Sequence, residues 1–149
     1  MSGLLIASGG FLAGILWMDL LFDTQILRRP PQDVVGAIVT YYENATLLAN
    51  PLNRLIGLIM IATVLGSLYQ LLRGRIERRM ALAATGLSAV AVGLALARVV
   101  PNAMRLGARP AAIEEQIELA RTICFDHMIC LTLMLAFVAV QIAGARARR

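Results

Sequence analysis

RTICFDHMICLTLMLAFVAVQIAG, residues 121–144, carries the strongest fold signal in the chain. Past its opening arginine it is apolar over a length that crosses a hydrocarbon layer of about 30 Å, for which roughly 20 helical residues suffice. Its first turns nevertheless hold Asp126 and His127, the one histidine in the sequence. An unpaired charge at the bilayer centre costs ~2.5 kcal/mol or more. These two side chains therefore need partners on other segments.

Three further windows, residues 3–22, 51–72 and 80–100, are comparably apolar, and with 122–144 they make four spans joined by polar links. The runs are continuous rather than alternating, which excludes a transmembrane barrel. With 59 % of the chain hydrophobic, a soluble core does not account for the composition. The fold class expected is all-α, a four-helix transmembrane bundle forming a single integral membrane domain over residues 1–149, with the lipid bilayer as its first partner. The first window has no basic leader and ends in Trp17, Asp19 and Asp23 rather than a small-residue cleavage site, so it reads as a retained helix.

The 14 basic residues, all arginine, outnumber 9 acids and leave a formal charge of +5. They do not form a nucleic-acid footprint, because the excess sits in Arg73, Arg75, Arg78 and Arg79 between the second and third spans, and in Arg146, Arg148 and Arg149 at the end. With four spans both groups lie on one side. The positive-inside rule makes that side, and both termini, cytoplasmic.

Residues 23–50 and 101–121 then face outward. In the first of these, Val34, Val35, Ile38, Tyr42, Ala45 and Leu48 recur at three and four, predicting an amphipathic surface helix between spans 1 and 2. Tyr41, Tyr42, Glu43 and Asn44 form its most polar patch, read either as interface anchors or as a lid over a cavity. Asn50 and Pro51 predict the start of the second span, as cap and first helical residue. Gly10 and Gly14, at GxxxG spacing, predict close packing within the bundle. Pro101 is expected to end the third span, Gly107 to stop the chain beyond it, and Pro110 to open the last helix, whose Glu114, Glu115 and Glu118 suit a helix N-terminus. Cys124 and Cys130 fall about 9 Å apart along one helix and cannot bridge each other.

The ionisable residues converge on one depth. Asp19 and Asp23, at i and i+4, share a helical face and repel unless a cation or proton lies between them. Asp126 and His127, being adjacent, point about 100° apart and address different neighbours. In a structural arrangement Asp19, Asp23 and Asp126 pair with Arg54 and Arg98 to fix helix registry. In a chemical one His127, oriented by Asp19 or Asp23, does acid–base work with Asp126, Asp19 and Asp23, while Arg54, Arg98, Asn102, Tyr41, Glu43 and Asn53 bind a small amphipathic ligand. The serines fall outside this layer, so no serine triad can be assembled. One histidine and no Glu-x-x-His repeat leave no metal assigned, a haem would have a single axial candidate, and the cofactor stays open.

Four spans in a short chain, the Pro101–Asn102 pair closing the third span and the Arg121-to-His127 spacing opening the fourth resemble the anthrone oxygenase-like family of small membrane proteins. That resemblance implies oxygenation of a phenolic or polycyclic substrate. The leading expectation is a polar site near the extracytoplasmic face that binds a small amphipathic ligand and supports acid–base or oxidative chemistry. The alternative is a non-catalytic subunit or scaffold of a larger membrane assembly, with a second copy or other membrane subunits as partners.

Overall fold

The computed structural model describes residues 2–48, 50–74 and 76–147, and among these there are helices and no strand. Helix α1 (Ser2–Asp23) runs through Thr24, whose hydroxyl donates to the Leu20 carbonyl at 2.7 Å, into the short α2 (Gln25–Arg28). Arg29 is extended, as a residue before proline must be, and Pro31 in the first turn starts α3 (Pro31–Tyr42) with its backbone already set for a helix. A π-helical turn over Glu43–Leu48 follows, then α4 (Asn50–Leu72), α5 (Arg78–Leu94), a second π-helical turn over Ala95–Val99, α6 (Val100–Gly107) and the long α7 (Ile113–Arg146).

Among the described residues four helical segments are long and apolar enough to cross a membrane: Ser2–Arg28, Pro51–Leu72, Arg78–Gly107 and Ile113–Arg146. The bundle is thus four-helical as the hydropathy predicts, with the amphipathic α3 between the first two spans. Helix α7 lies between α1 and α5, and α4 packs on α5 and less closely on α1. One core cluster, including Leu5, Leu12, Ala91, Met134 and Phe137, fills the membrane part. A second sits under α3, where Val34, Val35 and Ile38 meet Leu106, Ala120 and Ile123. The amphipathic helix therefore closes one end of the bundle with its apolar face.

Several boundaries differ from the sequence reading. The third span does not end at Pro101. The π-helical turn before it lets the Val100 N–H reach the Ala95 carbonyl five residues back, and this widened turn carries the chain past a proline that has no N–H to give. Gly107 does end α6, but Pro110 does not open the last helix: Arg109 takes a positive φ of 56°, the chain bends at Ala111, Ala112 is extended, and α7 starts at Ile113. The stripe predicted for α3 is broken at Glu43, so Ala45 and Leu48 fall in the π-helical turn while Val39 joins the buried face.

Gly10 and Gly14 do not pack within the bundle. A Cβ at either would meet only open space, whereas one at Gly9 would lie 2.8 Å from the Phe137 ring. The buried stripe of α1 is Leu5, Gly9, Leu12, Ala13, Leu20 and Asp23. Gly10, one residue and so 100° further round, faces outward.

At the opposite end from α3, Gln141 Nε2 donates to Gln70 Oε1 at 2.9 Å and Gln70 Nε2 to Ser2 Oγ at 3.1 Å, tying α7, α4 and α1 together. Buried Ile76 of the α4–α5 link packs against Gly144, so Arg73, Arg78, Arg79 and Arg146 share this end. Arg75, Arg148 and Arg149 of the predicted basic groups, and the side chain of the predicted cap Asn50, lie outside what is described. Cys124 and Cys130 are free and buried.

Candidate functional site

Where α1 leaves the membrane part of the bundle, it presents Asp19 and Asp23 on one face towards α7 and α3. His127 of α7 enters between them: Nδ1 is 2.7 Å from Asp23 Oδ2, and Nε2 is 3.8 Å from Asp19 Oδ2. The group that lies between the two carboxylates is this imidazole. The phenols of α3 complete the arrangement, Tyr42 donating to Asp23 Oδ1 at 2.8 Å and Tyr41 donating to Asp19 Oδ1. Tyr41 also stacks on Phe22 with ring centroids 4.3 Å apart, and Tyr42 meets Tyr41 edge-on.

The two carboxylates are not equivalent. Asp23 is fully buried and both its oxygens accept a hydrogen bond, which is the condition for holding an ionised carboxylate in a dry interior. In the tautomer with its proton on Nδ1, His127 donates to Asp23 Oδ2. Asp19 has one oxygen satisfied by Tyr41, while Oδ2 receives no hydrogen bond among the described residues. Burial raises both phenol pKa values; for Tyr41 the hydrogen bond to Asp19 adds to this, and for Tyr42 the Asp23 charge does. Both hydroxyls therefore stay protonated and act as donors.

Asp126, adjacent to the histidine, turns the other way, as the helical angle requires, and meets Arg98. Its Oδ2 is 3.1 Å from Arg98 Nε but out of line with the N–H, so charge rather than a directed hydrogen bond holds the pair. Arg98 sits in the π-helical turn before Pro101, more than half exposed, whereas Asp126 is buried.

A cavity of about 150 Å³ lies beside this cluster, between α1, α4, α5 and α7. Its walls are apolar, with Leu12, Met60, Val92 and Met134 among them, and its ionisable lining is Asp19, His127 and the Cys130 thiol.

The remaining predicted residues are placed elsewhere. Arg54 is exposed at the start of α4 and has no ion-pair partner among the described residues. Asn53 donates to the Ala45 carbonyl at 2.7 Å, closing the first π-helical turn. Glu43 pairs with Arg109 at 2.8 Å, and Arg109 also donates to Thr40 at 3.1 Å, on the exposed rim. The Asn102 side chain, half-buried, makes no hydrogen bond among the described residues. Tyr42 is the member that the sequence reading left out. Its signal was present, since a phenol on a buried apolar stripe needs an acceptor for its hydroxyl. Among the described residues no group of three His, Cys, Asp or Glu side chains is set to hold a metal ion.

A family model described as SHR3_chaperone, ER membrane protein SH3, matches residues 1–146. No curated protein and no solved structure matches the chain. The matching family is not the anthrone oxygenase-like one. The resemblance drawn from Pro101, Asn102, Arg121 and His127 is therefore overturned, and with it the reading of the polar layer as a site that binds a small amphipathic ligand for acid–base or oxidative chemistry. Two-residue motifs at helix ends recur wherever proline and polar caps are needed, so they do not separate families.

Proposed function

The chain belongs to the SHR3_chaperone family, and from that membership we propose that it is a non-catalytic chaperone of the endoplasmic reticulum membrane, holding other membrane proteins while they assemble. The family match over residues 1–146 carries this reading. The architecture supports it. Helix α4 is the least enclosed of the spans, α1 turns Gly10 and Gly14 outward, and both faces are free to receive another transmembrane segment.

On this reading Asp19, Asp23, Tyr41, Tyr42 and His127 hold α1, α3 and α7 in register, and Arg98 with Asp126 does the same for the third span. The arginines at the α4–α5 link and the end of α7 support cytosolic termini, with α3 on the lumenal side.

The test is a multi-spanning membrane protein translated into microsomes with and without this chain. The expected result is a larger fraction of that protein extracted as monodisperse, folded material when the chain is present. An unchanged fraction would overturn the proposal.

A further inference from the structure

The cavity beside the cluster has an unbalanced end. Asp23 is satisfied by Tyr42 and His127, but Asp19 Oδ2 and His127 Nε2 face each other at 3.8 Å with no hydrogen bond between them. His127 is 3 % exposed and lines the cavity, as does Asp19. In the tautomer that donates from Nδ1 to Asp23, both facing atoms are acceptors, and two carboxylates stand against one imidazole, so this end of the cavity suits a cation with more than one N–H.

The cavity limits how that cation arrives. Its walls are apolar and reached from the flank of the bundle, where Val100 is exposed and Ile15, Leu16, Ile56 and Met60 are half-buried. A space of this size accepts one benzene-sized group, not a helix. A side chain with an apolar stem and a cationic tip fits both ends of it. Such a side chain on a membrane-spanning helix gains most from the site, because a lone charge in the bilayer is costly and this cluster offers it counter-charge.

Building on the chaperone reading, we propose that the cavity is the docking site for a lysine or arginine side chain carried by a transmembrane helix of the partner protein, whose charge binds Asp19 and His127.

The experiment uses the full chain in phospholipid nanodiscs. The probe is a single-span leucine–alanine peptide with one lysine in its lumenal half, compared with the same peptide carrying leucine or glutamate there, and association is read by fluorescence transfer. The lysine peptide is expected to bind about tenfold more tightly than the leucine one. Asp19→Asn, which keeps an acceptor for Tyr41 but removes the charge, abolishes the preference. So does Ala95→Phe, which fills the cavity while leaving every ionisable side chain in place.

Equal binding of the lysine and leucine peptides would overturn the proposal, as would a lysine preference that survives both substitutions. Self-association of the chain that is lost in both Asp19→Asn and Arg54→Leu would assign the cavity to a second copy and overturn it too. A lysine preference without any effect on the microsomal protein removes the chaperone reading and leaves the site. The opposite pattern removes the site alone.

Discussion

His127 Nδ1 lies 2.7 Å from Asp23 Oδ2, joining two helices across 104 residues of sequence, with both side chains closed off from solvent. Neither group could stay charged or polar at that depth alone. Together with Tyr42 they satisfy both oxygens of Asp23 and fix how α7, α1 and α3 meet.

His127→Ala removes one partner and leaves Asp23 buried without its donor. A loss of about 3–5 kcal/mol is expected, as for breaking a buried charge pair. Reversible unfolding in mixed micelles measures it. In a double-mutant cycle with Asp23→Asn, the second substitution costs far less than it does in the intact protein. Additive losses would show that the two side chains are energetically independent.

Tyr42→Phe and Tyr41→Phe are expected to rank by burial. The first strands Asp23 Oδ1 in a dry core and costs about 1–3 kcal/mol. The second frees an oxygen of Asp19, which borders the cavity, and costs less. Unfolding of the two variants side by side decides the order, and equal losses would contradict it.

The phenols also set an alkaline limit. Burial, with the neighbouring aspartates, holds both pKa values above the ordinary 10.0 in the folded protein, while the unfolded chain ionises at the ordinary value. The unfolded state therefore loses its protons first as pH rises. Their contribution is intact below pH 10 and falls away above it, towards the raised folded values. The double variant Tyr41→Phe, Tyr42→Phe is less stable at neutral pH but loses less between pH 9 and about 11.5, which thermal unfolding across that range would show.

Glycines one position apart on α1 should respond oppositely. Gly9→Ala puts a Cβ 2.8 Å from the Phe137 ring and is expected to cost about 1–3 kcal/mol through forced repacking. Gly10→Ala enters open space and gains up to about 1 kcal/mol of helix propensity. Gly107→Ala belongs with Gly9, since its Cβ would sit 2.7 Å from Thr46 Oγ1 and 2.9 Å from the Tyr42 carbonyl. A Gly10→Ala variant that unfolds more readily than the parent would show that this face is already packed in the membrane.

The polar layer was legible as a layer because charged residues in apolar segments must be partnered, and the i, i+4 spacing of Asp19 and Asp23 required something positive between them. Which residue filled that place was left between Arg54, Arg98 and His127, and packing chose the histidine. Arg54 and Arg98 were equally plausible by depth, yet Arg54 stays exposed and Arg98 turns to Asp126, because rotation about each helix axis is set by packing and not by position along it. The same reason explains why the close approach inside the bundle falls at Gly9 and not at the GxxxG pair Gly10 and Gly14.

Hydropathy and periodicity alone specify four spans, the amphipathic α3 and a common depth for the ionisable groups, since each follows from transferring side chains out of water and needs no knowledge of neighbours. The pairing of His127 with Asp23, the two tyrosine donors, the passage of the third span through Pro101 and the cavity that Asp19 borders arise only when the helices pack. These depend on helix rotation and on where a π-helical turn shifts the register, and both are settled by contacts between residues far apart in the chain.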